Sequence, residues 1–261
     1  MSGSAHALFG LRYPEVSRLL AGPQRSVAII PAGSVEAHGP HLPLGTDTLI
    51  STAVAERAAA ALAERGYLAV HYPPLHYGVT DWAEGFAGTT TITADVIGPL
   101  VLQTCLSAHA LGFDHVVVTN AHLEPGHIQT LRTVTKDYET RTGTPLLFVD
   151  KTRRKQAQKL TAEFQSGSCH AGQYETSLIL AIAPELVDTA AADALPALQL
   201  PLHERIAAGA QNFAECGLEQ AYCGDPSAAT AEEGEQSLQI LAQMVVDAVE
   251  EAKRLAPGAA G

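Results

Sequence analysis

Positive charge is scarce in this chain. Its 16 Lys and Arg face 28 Asp and Glu, a formal net charge of -12. Nucleic acid and anionic membranes need the opposite, clustered cations that neutralise phosphate, so both are set aside as partners. A surplus of carboxylates suits a cation-binding protein, and it serves solubility equally well. Also missing is any apolar run near the ~20 residues of a membrane span. The opening segment MSGSAHALFGLRYPEV has no basic stretch followed by a continuous apolar one, and the expectation is a soluble, cytoplasmic protein. Cysteine is sparse: Cys105, Cys169, Cys216 and Cys223 form no CxxC pair and no zinc-finger spacing, which argues against a disulfide framework or structural zinc. Cys105 lies in an apolar helical run and reads as a small core residue. There is no internal repeat, no linker, and no low-complexity segment beyond Ala-rich stretches. The 261 residues, 46% hydrophobic with 22 Gly and 15 Pro, therefore read as one globular domain, 1–261.

What the chain does have is concentrated in Pro31–Asp47, PAGSVEAHGPHLPLGTD. It follows Ser26-Val-Ala-Ile-Ile, whose β-branched content and length fit a buried strand. A strand-to-helix connection should be short and plain, yet this one is long, rich in Pro and Gly, and holds Glu36, His38, His41 and Asp47. Glu36 and His38 lie two apart, so in extended backbone both side chains leave the same face. That is half of a metal site, since metals usually need three or more protein ligands. Asp47 precedes the helical segment Thr48–Arg65, closed by Gly66, where an isolated Asp would be an N-cap. With ligands already in the loop, its two oxygens make it the candidate to bridge two cations.

Downstream, strands and helices alternate. Leu68–Tyr72, His115–Thr119 and Leu146–Val149 read as strands, and Asp95–Leu111 and Ile128–Arg141 as helices. The fold class implied is α/β: three αβα layers around a mainly parallel sheet, with ligands gathered beyond the carboxyl ends of the strands. After the strand at 115–119 come His122 and Glu124, again two apart, while His127 in the next helical turn reads as helix surface. Lys151–Phe164 reads as a basic, helical, largely exposed segment, better explained as a solvated face than as an anion attractor. His170 lies in a loop before a helix that carries Glu175 early. Residues 184–201 hold no titratable cluster. Glu232–Ala256 is helical, with an apolar stripe (Leu238, Leu241, Val245, Val249) expected to pack on the sheet or a neighbouring subunit.

The run from Gly33 to Asp47 resembles the hallmark Gly-Ser-x-Glu-x-His-Gly-Pro-His-Leu-Pro-x-x-Thr-Asp of the creatininase (creatinine amidohydrolase) family. His170-Ala-Gly-x-x-Glu175-Thr-Ser is similar to a second family motif. A third, pocket-lining motif is matched in part by Tyr77, Gly78, Thr80, Phe86, Gly88 and Thr89, with Ala83 where a His is usual and Trp82 and Glu84 as local novelties. The resemblance implies a creatininase-like fold with two divalent ions, Zn and/or Mn, that hydrolyses C–N bonds of small cyclic or linear amides. It also implies a homo-oligomer, commonly a hexamer. One ion would be held by Glu36, Asp47 and His122. The other would be held by His38, Asp47 and Glu124, because Glu124 stands where the creatinine-hydrolysing branch has its Glu. Glu175, a ligand in members lacking that Glu, is then expected to orient a ligand or to bind weakly. His170 matches the catalytic His, with Glu124 beside it in the reaction, and Ser34, Tyr77, Trp82 and Cys169 are read as substrate-binding. Cys169 stands where creatinine hydrolases carry Glu.

The function expected is metal-dependent hydrolysis of a non-peptide C–N bond, with His170 as the proton shuttle. The alternatives are a deformylase, a lactonase or a peptide-trimming hydrolase of the same family, or a non-catalytic metal-binding relative. A serine hydrolase built on Ser34 lacks the GxSxG elbow.

Overall fold

The computed structural model describes residues 3–255. In chain order it runs β1 (Ser4–Ala7), α1 (Tyr13–Leu20), β2 (Ser26–Ala32), α2 (Thr46–Glu64), β3 (Leu68–His71), α3 (Ala94–Ala110), β4 (His115–Asn120) and α4 (Pro125–Thr142). There follow β5 (Leu146–Phe148), α5 (Arg154–Ala157), α6 (Ala162–Ser166), α7 (Gln173–Ile182), α8 (Thr189–Ala194), α9 (Leu202–Ala207) and α10 (Ala231–Leu255). The five strands form one parallel sheet in the order β1-β3-β2-β4-β5.

Helices cover both faces of the sheet, so its central strands are apolar throughout rather than alternating. Every residue of β2 is buried. Side chains still split by the two-residue period. Val27, Ile29 and Val117 face α2, α7 and α10, whereas Ala28, Ile30, Val116 and Val118 face α3 and α4. The result is the three-layer α/β fold expected. Ala53, Ala55, Ala58 and Ala59 are buried along α2, small enough to let that helix lie between the sheet and α10. Among the described residues no helix is long and apolar enough to cross a membrane.

The structure adds elements that periodicity missed. β1 and α1 are only four and eight residues long, and neither buries a residue fully, so each is too short for its period to stand out from a loop. The basic segment 151–164 breaks into α5 and α6, and Lys151, Leu160 and Phe164 are buried. The apolar stripe of α10 packs inside the chain, on α2 and α7, as the sequence allowed; Ala256 lies outside the described residues. Residues 184–227, bland in sequence, place Phe213, Leu218 and Cys223 with Trp82 and Ala83 in a separate small core.

Ala32 at the end of β2 pairs with Asn120 at the end of β4. The loops that follow carry Glu36 and His38 from one strand, and His122 and Glu124 from its neighbour. The topology thus brings residues more than eighty positions apart to one sheet edge. On the opposite flank, α10 meets α7 at Gly234, where a Cβ would strike the Ser177 carbonyl. Gly→Ala inside a helix ordinarily stabilises by about 0.5–1 kcal/mol. Here the contact reverses the sign, and Gly234→Ala is expected to lower Tm in thermal denaturation. A raised Tm would show that the two helices have room to spare.

Candidate metal centre

Two imidazoles present bare nitrogens to three carboxylates. His122 donates from Nε2 to the Val79 carbonyl at 2.7 Å, which turns Nδ1 to within 3.1 Å of both Glu36 Oε1 and Asp47 Oδ2. His38 donates from Nδ1 to the Glu36 carbonyl at 3.2 Å. Its Nε2 is buried with no hydrogen-bond partner. That nitrogen lies 3.6 Å from Glu36 Oε1, 3.6 Å from Asp47 Oδ1 and 3.7 Å from Glu175 Oε2. Imidazole nitrogens turned to carboxylate oxygens need a proton or a metal cation between them, and backbone hydrogen bonds to the far nitrogen are how metal-binding imidazoles are fixed. The donors fall into overlapping groups: Glu36, Asp47 and His122; His38, Asp47 and Glu175; and Glu36, His38 and His170.

The electrostatics agree. Burial alone lowers the His38 imidazole, but Asp47, then Glu175 and Glu36, override it and raise it to about 10. His122 is likewise raised against its burial by Glu36 and Asp47. Burial raises the Asp47 carboxyl, and the two imidazoles overcome that to hold it well below the usual carboxylate range. Such a set draws positive charge, and a mixed His/carboxylate donor list suits Zn or Mn.

Asp47 lies in the first turn of α2, whose N-cap is Gly45, where the helix dipole favours an anion. Its Oδ1 turns to His38 and its Oδ2 to His122, the division a bridging carboxylate needs. The Ser34 hydroxyl donates to Oδ2 at 2.6 Å. Ser34, read as substrate-binding, is fully buried and does not line the cavity. The loop itself is pinned by the 86–91 segment: Ala37 N–H donates to Thr89 Oγ1 at 3.1 Å and Thr90 N–H to the Val35 carbonyl at 2.9 Å.

Glu175, rather than Glu124, is the carboxylate grouped with His38 and Asp47, while both line the same cavity. Glu124 is the N-cap of α4, with φ -54 and ψ 134. The backbone there is still extended, and the helix begins only at Pro125. Its Oε2 accepts the Trp82 N–H at 3.1 Å and lies 3.9 Å from Nε2 of His122, on the ring edge away from the carboxylates. Burial pushes its carboxyl up to about 7, against the pull of His122. Glu175, in the first turn of α7, reaches His38 instead and accepts the Ala171 N–H at 2.7 Å. Ala171 is aimed there by a left-handed φ of 49, a strained conformation for a residue with a Cβ, costing on the order of 1–2 kcal/mol.

Two positioning residues escaped the sequence reading. Glu163 accepts N–H groups from Gln173 at 2.9 Å, Tyr174 at 2.7 Å and Asp225 at 2.8 Å. It caps α7 from outside, and a Cβ at Gly172 or Gly224 would run into its carboxylate. Lys151 is 5% exposed; burial lowers its ammonium, opposed by Glu175 and Asp47. An acid ten residues before the helix it caps, and a lysine among other lysines and arginines, gave no spacing signal.

His170 packs between His38, with ring centroids 4.6 Å apart, and Phe213, at 4.5 Å. Its Nε2 donates to the Ala37 carbonyl at 3.0 Å, leaving Nδ1 as a base. Burial, then the His38 charge, lowers it to about 4. A cavity of about 720 Å³ opens over this centre, lined by Trp82, Glu124, Cys169, His170, His203 and Phe213 among others. The Trp82 and Phe213 rings meet edge to face at 5.8 Å. Phe213 carried no chemistry in sequence, and only the fold reveals it as wall. The Cys169 thiol is raised well above its ordinary value by burial, so it lines the wall as a neutral group. Tyr77 is 50% exposed and outside the cavity. His41 bonds Thr176 Oγ1 at 2.9 Å and stays clear of the donors. His127, read as helix surface, is fully buried: Nδ1 accepts the Val79 N–H at 3.4 Å, and Nε2 meets Asn120 Oδ1 at 3.2 Å.

The sequence matches a family model, Creatininase: Creatinine amidohydrolase, over residues 10–249. It is 35% identical over 242 residues to the mycofactocin precursor peptide peptidase of Mycobacterium ulcerans (strain Agy99), covering 89% of this chain and 87% of that protein. It is 27% identical over 249 residues to the creatinine amidohydrolase of Pseudomonas putida, covering 86% of this chain and 89% of that protein. Among solved structures, "Creatininase Mn" superposes with a TM-score of 0.73 at 22% identity, over 95% of this chain and 98% of that one. A mutant creatininase of "Zn-Zn type" does so at 0.72 and 22%, over 94% and 97%. At that identity the likeness speaks to the fold.

Which of the two carboxylates completes the second site is open to a direct check. Glu175→Gln is expected to lose about half of the bound metal by elemental analysis of Mn- or Zn-loaded protein, whereas Glu124→Gln retains all of it. The reverse pattern would return Glu124 to the donor set.

Proposed function

The chain belongs to the creatininase family, and from that premise we propose that it is a metal-dependent peptidase, hydrolysing a C–N bond within a peptide. The observation that carries this reading is the pair of His/carboxylate triads sharing Asp47 on the floor of a cavity of about 720 Å³. That volume falls in the range of about 300–1,000 Å³ typical of sites for drug-sized ligands, and exceeds the need of a small cyclic amide. The relative at 35% identity is named for a peptide, whereas the one named for creatinine stands at 27%. The chain's one Trp, Trp82, also departs from the several that creatinine-hydrolysing relatives are expected to carry.

In this reading Glu36, Asp47 and His122 hold one divalent cation, and His38, Asp47 and Glu175 the other. Bound there, such cations acidify a water toward neutrality and polarise a carbonyl oxygen. Glu124, held near pH 7 by burial, takes the proton of the attacking water as the C–O bond forms. That proton passes to Nδ1 of His170, neutral at rest with its Nε2 anchored on Ala37, and from Nδ1 to the leaving nitrogen as the C–N bond breaks, which returns both groups to their starting state. Trp82 and Phe213 exclude water and hold the flanking side chains of the substrate.

Metal-loaded protein offered a panel of short peptides and cyclic amides is expected to cleave the peptides. His170→Asn should keep its metal and fold while kcat falls by about a hundredfold or more. Turnover confined to cyclic amides would return the reading to a small-amide hydrolase, and near-full activity in His170→Asn would remove that residue from the reaction.

A further inference from the structure

A second groove, of about 570 Å³, lies beside the metal cavity and shares two wall residues with it, Gln129 and Arg132. Its charge runs against that of the molecule. In a chain of net charge -12, it is lined by Arg132, Lys136, Arg153 and Lys155, with Asp150 as its one carboxylate. Asp150 is consumed: its Oδ2 accepts Arg132 Nε at 2.9 Å, Arg132 Nη2 at 2.7 Å and Arg153 Nε at 3.1 Å. Burial raises that carboxyl, but Thr152 and Arg132 overcome it and keep it ionised. One acid between two guanidiniums leaves a net positive wall. Among the described residues neither Lys136 nor Lys155 enters an ion pair. A cationic groove in an anionic molecule attracts carboxylates locally while the rest of the surface repels them.

The groove also has a register. Glu124 caps α4, and within the helix Gln129, Arg132 and Lys136 stand three and four apart, which places those three along one face of it. From Glu124 to Lys136 is roughly 18 Å at about 1.5 Å per helical residue. An extended peptide covers that span in about five residues at roughly 3.4 Å each. We propose that this groove is a docking subsite for an acidic segment of the peptide substrate, with Asp or Glu side chains about four to six residues from the scissile bond. Arg132 and Gln129 form the passage between the two compartments. The proposal rests on the peptidase reading and adds a determinant of which peptides are taken. It also gives a role to the lysines and arginines after β5, which in sequence read as a solvated face.

The test uses fluorescein-labelled peptides in two versions, with Asp/Glu or with Asn/Gln four to six residues from the bond, placed on either side of it, and Lys136→Glu and Lys155→Glu singly and together. Binding is followed by anisotropy and cleavage by kinetics, with light scattering and thermal denaturation on each variant. Wild-type protein should bind the acidic version tighter by about fivefold or more at low salt, an advantage lost as ionic strength rises. The double variant should lose that preference through KM, with kcat little changed. Equal binding of both versions by wild type, or an unchanged preference in the double variant, overturns the proposal. So does a change of oligomeric mass with the charge reversals, which would make the groove a contact between copies of this chain. Preferential binding of acidic peptides without cleavage of any peptide would instead sink the peptidase reading and leave the groove standing as a carboxylate-binding surface.

Discussion

Three buried carboxylates and two imidazole lone pairs converge around Asp47, and the rest of the structure is arranged to hold them together. Carboxylates in such surroundings would normally shed their charge, because desolvating an ion costs several kcal/mol even after relaxation. Here every compensating route is built in. Val79 and the Glu36 backbone fix the tautomers of His122 and His38. Ser34 holds one oxygen of Asp47, and Ala171 holds one of Glu175. The remaining negative charge is the kind a divalent cation balances, and Nε2 of His38, buried without a hydrogen-bond partner, faces it.

The sheet makes this convergence possible and keeps it rigid. β2 and β4 are adjacent and buried, so the loops leaving Ala32 and Asn120 start from fixed points one strand spacing apart. α2 and α7 then bring Asp47 and Glu175 in from the helical layer, each in a first turn, where the helix dipole favours a negative side chain. Glu163 supports the second of these arrivals by satisfying the open N–H groups of α7. The stretch 184–227 contributes no donor, but it supplies Phe213, which backs His170 and meets Trp82. Donors thus sit on regular elements and strand ends, while the walls come from long loops.

Much of this was legible in the chain. Alternating apolar runs predicted the parallel sheet, and Glu36, His38 and Asp47 stood out because a loop between a strand and a helix has no packing reason to hold them. The same two-apart spacing brings Glu124 to the His122 ring, though to its Nε2 edge rather than to the Nδ1 edge that faces Glu36 and Asp47. Glu175 was named only through the family motif, because a lone acid in a helical first turn has no spacing signal until the fold brings His38 to it. Lys151 and Glu163 could not be singled out, because their roles depend on burial that no local period records. His127 looked like helix surface, yet the first turn of α4 is tucked under the loop that carries Val79.

The account stands or falls on Asp47 as a shared ligand. The most direct measurement is anomalous diffraction, at the Zn and Mn edges, from crystals of the metal-loaded protein. Two peaks are predicted, each within about 2.0–2.3 Å of a different Asp47 oxygen, one beside His122 Nδ1 and the other beside His38 Nε2. A single peak, or two peaks of which only one touches Asp47, would contradict it.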